Sequence, residues 1–211
     1  SVRTLATHGQ LVFSGSYDCT VRVWNAVTGE CLHSLVGHTE KIYSIALDHD
    51  RHRVFSGSMD CNIRMWDWDT GELLHTLTGH QNLVGLLSLH HGSLISAGID
   101  SMLRVWDPET GEHRQTLQLA PVTITCFQHD GTKLVSGSDN AKLWDHRTGK
   151  FMRDICGQNV SGVWQVAFTD DKLLLALRRE SGESYFEIRD YSAVSPDVGA
   201  SDSMMMMMML K

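Results

Sequence analysis

The sequence predicts an all-β chain built from stacked four-stranded sheets, the blades of a β-propeller. Three observations carry that expectation. The stretch SGSYDCTVRVWN at 14–25 returns as SGSMDCNIRMWD at 56–67 and SAGIDSMLRVWD at 96–107, with a shortened copy, SGSDNAKLWD, at 136–145. The tryptophans of these copies, Trp24, Trp66, Trp106 and Trp144, recur at intervals of 42, 40 and 38 residues. Within each unit, runs such as VRVW and IRMW alternate apolar and polar residues between Gly, Asp, Asn and Thr. A period of two makes short, half-buried antiparallel strands. Four of them in about 40 residues fit a propeller blade, which cannot bury both faces alone and must stack on neighbours. Helical repeats of similar length would need apolar residues at spacings of three and four.

The elements follow in order within units of 1–35, 41–77, 83–117, 122–154 and 162–192. An innermost strand opens each unit, at VRT, IYS, VGL, ITC and VWQ. A second strand ends in SGS or SAG, the third carries the tryptophan, and a turn (AVTGE, DWDTGE, DPETGE, DHRTGK) leads to the outer strand. The first unit begins in mid-strand at Ser1. The fourth has Leu119-Ala120 where a Gly-His pair is expected, and a shorter hairpin. The fifth has LLLALRR in place of SGS and only three strands, VWQVAF, KLLLALR and YFEIRDY. Four blades and most of a fifth are therefore expected, an incomplete ring with exposed blade faces. Residues 193–211, ending in SDSMMMMMMLK, read as a disordered low-complexity tail or a faulty reading frame.

Composition bounds the function. The net charge of −7 argues against general nucleic-acid binding, although a local basic cluster can still attract a phosphate. The apolar runs are too short to span a bilayer, so no membrane role is expected. Cys19, Cys31, Cys61, Cys126 and Cys156 are scattered and odd in number, which suits neither a disulfide framework nor a zinc site. A reducing compartment, nucleus or cytoplasm, is the expectation. Asp48, His49, Asp50 and His52 in LDHDRHR have metal-ligand chemistry but sit where a solvated turn belongs. No metal and no cofactor are expected, and the sequon Asn159-Val160-Ser161 reads as chance.

His38 with Ser56, Asp60 and Trp66, and His80 with Ser96, Asp100 and Trp106, invite a Ser-His-Asp catalytic reading. Recurrence argues against it, because a catalytic triad occurs once and a structural network once per blade. Asp, His, Ser and the Trp indole N–H can satisfy one another in a hydrogen-bonded chain. The expectation is a structural fastening and a non-catalytic protein. Arg22, Arg64 and Arg104 recur two residues before the tryptophans and read as outward-facing surface charges.

The middle residues of the innermost strands are Arg3, Tyr43, Gly85, Thr125 and Trp164, a slot repeated from unit to unit near the end of the strand where loops converge. A second slot, just before the turn Asp, carries Tyr17, Met59 and Ile99. Arginine offers a planar fork of donors that suits phosphate, and Tyr or Trp offers a flat wall for a proline. From the residues alone, a ligand slot and plain packing with a solvated arginine both stay open.

Gly37-His38, Gly79-His80, SGSxD and VWD at these spacings resemble WD40 repeats over residues 1 to about 191. KIYSIALDHDRHRVFSGSMD, GHQNLVGLL, ITCFQHD and SGVWQVAF narrow the resemblance to the C-terminal half of the F-box/WD40 substrate receptors of SCF ubiquitin ligases, the fungal cell-division-control type. That family implies eight blades and an F-box that docks the ligase core, the F-box and first blades being missing from this chain. It implies phosphorylated protein substrates as partners and a place in the ubiquitin ligase, without chemistry of its own. It also places Arg3 on a phosphate-binding arginine, Tyr17, Tyr43 and Trp164 on pocket residues, and Lys41 on a neighbouring basic position. The family's other phosphate-binding arginines would lie upstream of Ser1. A general WD40 scaffold without phosphate dependence, and a truncated gene product without independent function, are the alternatives.

Overall fold

The computed structural model describes residues 1–118, 123–157 and 159–192. The Leu119-Ala120 substitution and the tail at 193–211 lie outside them. Every regular element among the described residues is a strand. Blade 1 holds β1 (Val2–His8), β2 (Leu11–Ser16), β3 (Thr20–Asn25) and β4 (Cys31–Val36). Blade 2 holds β5 (Ile42–Asp48), β6 (Arg53–Ser58), β7 (Ile63–Asp67) and β8 (Leu73–Leu77). Blade 3 holds β9 (Val84–His90), β10 (Ser93–Gly98), β11 (Met102–Trp106) and β12 (His113–Gln118). Blade 4 holds β13 (Cys126–His129), β14 (Lys133–Gly137), β15 (Ala141–Asp145) and β16 (Phe151–Asp154). Blade 5 has three strands, β17 (Val160–Phe168), β18 (Lys172–Arg179) and β19 (Ser184–Asp190). Each blade is an antiparallel meander in chain order.

The chain falls into two compact units, Ser1–Thr123 with blades 1 to 3 and Ile124–Lys211 with blades 4 and 5. In the first unit the core lies between blades. Phe13, Val21 and Val23 of blade 1 pack on Ile42, Val54 and Trp66 of blade 2. Ile63 and Met65 of blade 2 pack in turn with Val84, Leu94 and Trp106 of blade 3. In the second unit Val135, Ala141 and Leu143 meet Val163, Leu173 and Leu175. LLLALRR thus replaces the polar SGS with leucines, and Leu173, Leu175 and Leu177 are all fully buried.

The glycine of SGS is a packing requirement. A methyl group on Gly57 would sit 2.9 Å from Val84 Cγ1 and 3.0 Å from its carbonyl oxygen; on Gly15 it would meet Ile42 Cγ2 at 2.8 Å. Gly137 would meet Val163 Cγ1 at the same 2.8 Å. The next blade's inner strand therefore lies directly on this glycine. The hairpin tips that follow place Cys19, Cys61 and Ser101 in left-handed backbone at φ 68, 68 and 63°.

The LDHDRHR turn is a closed local structure. The Asp48 carboxylate accepts from the Asp50 and Arg51 amides and from the Arg51 guanidinium, each at 3.2 Å. His49 stacks on His8 at 4.6 Å, and His52 Nδ1 donates to the Asp69 carboxylate over 2.6 Å. Among the described residues no cluster of three or more potential ligands is arranged to hold a metal ion.

Candidate functional site

The inner strands of the first unit share one irregularity at one place. Val2 pairs with Ser16 and Thr4 with Gly15; Ile42 pairs with Ser58 and Ser44 with Gly57; Val84 pairs with Gly98 and Leu86 with Ala97. Each time two residues advance against one, so Arg3, Tyr43 and Gly85 are the extra residues of β-bulges. A bulge shifts the pleat, and residues on either side of it fall on opposite faces of the sheet. Ile42 consequently buries against blade 1, while Ser44 turns to blade 3 and its hydroxyl donates to the Val84 carbonyl at 3.2 Å. The extra residue is left unpaired at the end of the strand, where Arg3 is exposed and Tyr43 half-buried. In the second unit Trp164 has the same position, between the pairs Val163 with Leu177 and Gln165 with Ala176, and is 54% exposed. Thr125 differs, standing just before β13, with its amide donating to the Gly137 carbonyl at 2.9 Å. Sequence reasoning found the slot but missed the bulge: slot and SGS or SAG serine stand 11, 13, 11 and 11 residues apart in the first four units, and the register shift falls at 3, 43 and 85 but not at 125, so the spacing does not announce it.

A second repeated contact brings the hairpin tips to the same end. The amides of Tyr17, Met59 and Ile99 donate to the carbonyls of Ser1, Lys41 and Leu83 at 2.9, 2.9 and 3.0 Å. The tip between the second and third strands is thereby pinned to the residue just before each inner strand. Tyr17 comes to lie 5.4 Å from Tyr43, the rings inclined at 42°. The Lys41 ammonium sits 5.3 Å from the centre of the Tyr17 ring, a cation–π contact. A hydrogen bond with the Tyr17 hydroxyl, aided by slight burial, pushes the Tyr43 phenol above its ordinary value, against the opposing charge of Arg3. Arg3, Tyr17, Lys41 and Tyr43 therefore form one cluster, with the exposed side chains of Met59 and Ile99 beyond it. Trp164 belongs to the second unit and is described there by itself. A guanidinium and an ammonium beside two phenol rings can hold an anion and stack a flat or aliphatic group next to it.

The His-Ser-Asp-Trp sets lie elsewhere, inside blades 2 and 3. Trp66 Nε1 donates to Ser56 Oγ at 3.0 Å, and His38 Nε2 lies 2.8 Å from the same hydroxyl. His38 Nδ1 lies 2.7 Å from Asp60, which also accepts from the Thr39 amide at 3.1 Å. In blade 3 the Trp106–Ser96 contact is 2.8 Å, His80–Ser96 2.7 Å and His80–Asp100 2.9 Å. The proton order is Trp to Ser, Ser to His Nε2, and His Nδ1 to Asp. Ser56 and Ser96 are fully buried, so no substrate reaches either hydroxyl. Burial alone would raise the Asp60 carboxyl, but the His38 ring and the Asn62 and Thr39 amides outweigh it and hold it at about 2. Blades 1 and 4 also have the Trp–Ser bond, at 2.8 Å for Trp24–Ser14 and 3.0 Å for Trp144–Ser136.

The three recurrent arginines are all partly exposed, and they differ in how far the stem is covered. Arg22 pairs with Asp18 at the surface over 3.2 Å. Arg64 and Arg104 bury their Nε atoms. Arg64 lies under the loop that delivers His38, where a methyl on Gly37 would fall 2.6 Å from Arg64 Nη1. The Gly-His pair thus closes over the guanidinium stem as well as over the tryptophan.

The family described as WD domain, G-beta repeat matches residues 1–25, 29–67 and 71–107, within the first unit. The chain is similar to cell division control protein 4 of Candida albicans, 46% identical over 91% of this chain and 29% of that protein. It is 37% identical to cell division control protein 4 of Saccharomyces cerevisiae, over 92% of this chain and 28% of that one. The chain spans under a third of the length of these two relatives. Among solved structures, the computationally designed Ika8 protein superposes with a TM-score of 0.78 at 32% identity, covering 88% of this chain and 57% of that one.

Proposed function

This chain belongs to the WD40-repeat family, and from that premise we propose that it is the substrate-recognition part of an SCF-type ubiquitin ligase, binding Ser/Thr-phosphorylated segments at the bulged ends of its inner strands. The observation that carries the reading is the cluster of Arg3, Tyr17, Lys41 and Tyr43, where two cations flank a pair of phenol rings. In this reading the phosphate meets the Arg3 fork with Lys41 as a second charge, and the residue after it packs on Tyr17 and Tyr43. In the second unit Trp164 offers an exposed apolar wall of its own. The module performs no chemistry; it supplies affinity, and the ligase core reaches it through an F-box that is not in this sequence. Nucleus or cytoplasm is the setting in which its five free cysteines stay reduced.

The test is fluorescence anisotropy with one Ser-Pro peptide in phosphorylated and unphosphorylated forms. The phosphorylated form binds more tightly, and Arg3→Ala removes about 1 kcal/mol of that preference, the scale of one exposed ion pair. Equal affinity for the two forms, with binding retained, would instead support a WD40 interaction scaffold indifferent to phosphate.

A further inference from the structure

The turn after the third strand is built from equivalent residues in each blade, and one of them changes the junction it faces. In blades 1, 2 and 4 the residue after the turn Asn or Asp donates its amide to the carbonyl just before the second strand. Ala26 donates to Gln10 at 2.7 Å, Trp68 to His52 at 3.0 Å and His146 to Thr132 at 2.9 Å. Blade 3 has Pro108 there, which has no amide hydrogen to give. The matching carbonyl, that of Gly92, accepts from the Arg114 guanidinium at 3.2 Å instead. Pro108 therefore stands in blade 3 where Trp68 stands in blade 2.

Trp68 fills the junction between blades 1 and 2. Its buried indole lies 5.4 Å from His8 and 5.0 Å from Phe13 of blade 1, and His52 of its own blade stacks on it at 5.3 Å and 20°. Strand register makes Asp48 the counterpart of His8, each being the last residue paired before its turn. His91 and Gly92 are in the same way the counterparts of His49 and His52. At the junction of blades 2 and 3, Asp48, His91, Gly92 and Pro108 line a cavity of about 270 Å³, with Leu47 and Leu89 as its apolar part. That is just below the roughly 300–1,000 Å³ of pockets that take whole drug-sized ligands, and suits a single side chain or ring system. Blade 2 braces the far wall: Arg53 donates to the Pro108 and Glu109 carbonyls at 2.9 Å each, and Arg51 lies 3.8 Å from the Glu109 carboxylate.

We propose that this cavity receives a tryptophan side chain from a partner protein, seated as Trp68 is seated one junction earlier. Leu47, Leu89 and Pro108 offer apolar contact, and the His91 ring and the Arg51 guanidinium offer planar faces on which an aromatic ring stacks. The Asp48 carboxylate lines the same space and accepts three hydrogen bonds, two at Oδ1 and one at Oδ2. A carboxylate can take about four, so Oδ2 has room for an indole N–H. Phenylalanine brings no such donor. The cavity lies at the turns after β5 and β9, at the opposite end of β5 from the bulge at Tyr43. It is therefore separate from the cluster of Arg3, Tyr17, Lys41 and Tyr43, and its occupancy does not depend on phosphopeptide binding there.

The test is a two-dimensional NMR titration of the full 211-residue chain with acetyl-Gly-Trp-Gly-amide, acetyl-Gly-Phe-Gly-amide and free indole. The tryptophan peptide gives saturable shifts at the amides of 48–51 and 90–92, the turns that line the cavity. It binds about fivefold more tightly than the phenylalanine peptide, the worth of one neutral hydrogen bond. Pro108→Trp supplies the indole from the chain itself and restores an amide donor to Gly92, so this variant keeps the wild-type circular dichroism and loses the shifts. The wild-type titration decides the matter independently of how the variant folds. No shifts at those turns in wild type, equal binding of the two peptides, or shifts from indole but not from the tryptophan peptide would each overturn the proposal. So would a folded Pro108→Trp chain that binds the tryptophan peptide as wild type does.

Discussion

Asp60 shows how one charged side chain fastens a blade. It receives the His38 ring and two backbone amides, and its carboxyl sits at about 2 against an ordinary 3.8. A carboxyl held below its unfolded value stabilises the fold at neutral pH. That contribution is complete above about 4 and is lost as pH falls through about 2. Burial, only partly offset by Asp100, depresses His80 below 6.5, so acidification below that value also works against folding. Asp60→Asn should therefore be less stable than wild type at neutral pH, with a shallower fall of the melting temperature between about pH 4 and 2. Parallel melting curves that keep a constant gap across that range would contradict it. At this scale the sequence was informative: the four residue types and their spacing state which groups satisfy one another. The covering of the Arg64 and Arg104 Nε atoms was not legible, because it comes from a loop laid over the third strand and not from the strand's own alternation.

At the scale of the strand, the glycine in SGS and the bulge opposite it belong together. The bulge turns Val84 toward blade 2, and Gly57 leaves the room into which it packs. Gly57→Ala should cost about 1–3 kcal/mol by overpacking, since the atoms a methyl group would meet include main chain as well as side chain. Urea unfolding measures it, and an unchanged midpoint would show that the blades separate more easily than this contact implies. The period of two made the strands readable from the sequence, and the repeated SGS fixed their order. A bulge adds a residue without breaking the local pattern, so nothing in VRT or IYS announces it. LLLALRR also has an account at this scale: leucines fill the space that the Ser–His relay occupies in blades 2 and 3.

Across the molecule, protection should follow the number of covered faces. β6 and β10 lie inside sheets that are packed in the first unit's core, and their Ser56 and Ser96 are fully buried. Among the described residues β19 pairs with one strand, and its Phe186 and Ile188 are 76% and 69% exposed. Amides of β19 that bond to β18 should exchange with deuterium at least about tenfold faster than those of β6 bonded to β7, because local opening there exposes little new surface. Equal protection under conditions where the chain is monomeric would contradict this. The family match ends at residue 107, the last Gly-His pair is Gly79-His80, and blades 4 and 5 were read from strand pattern more than from motif.

The bulges also bear on how such a chain acquires new ligands. Residues 3, 43, 85 and 164 carry Arg, Tyr, Gly and Trp at one structural position, although these differ widely in size and charge. A side chain left unpaired by its bulge and absent from the buried clusters can change without disturbing the cores on either side. Specificity and foldability are thereby under separate mutational control, and natural drift or a combinatorial library can sample ligand chemistry at these positions while the scaffold stays constant.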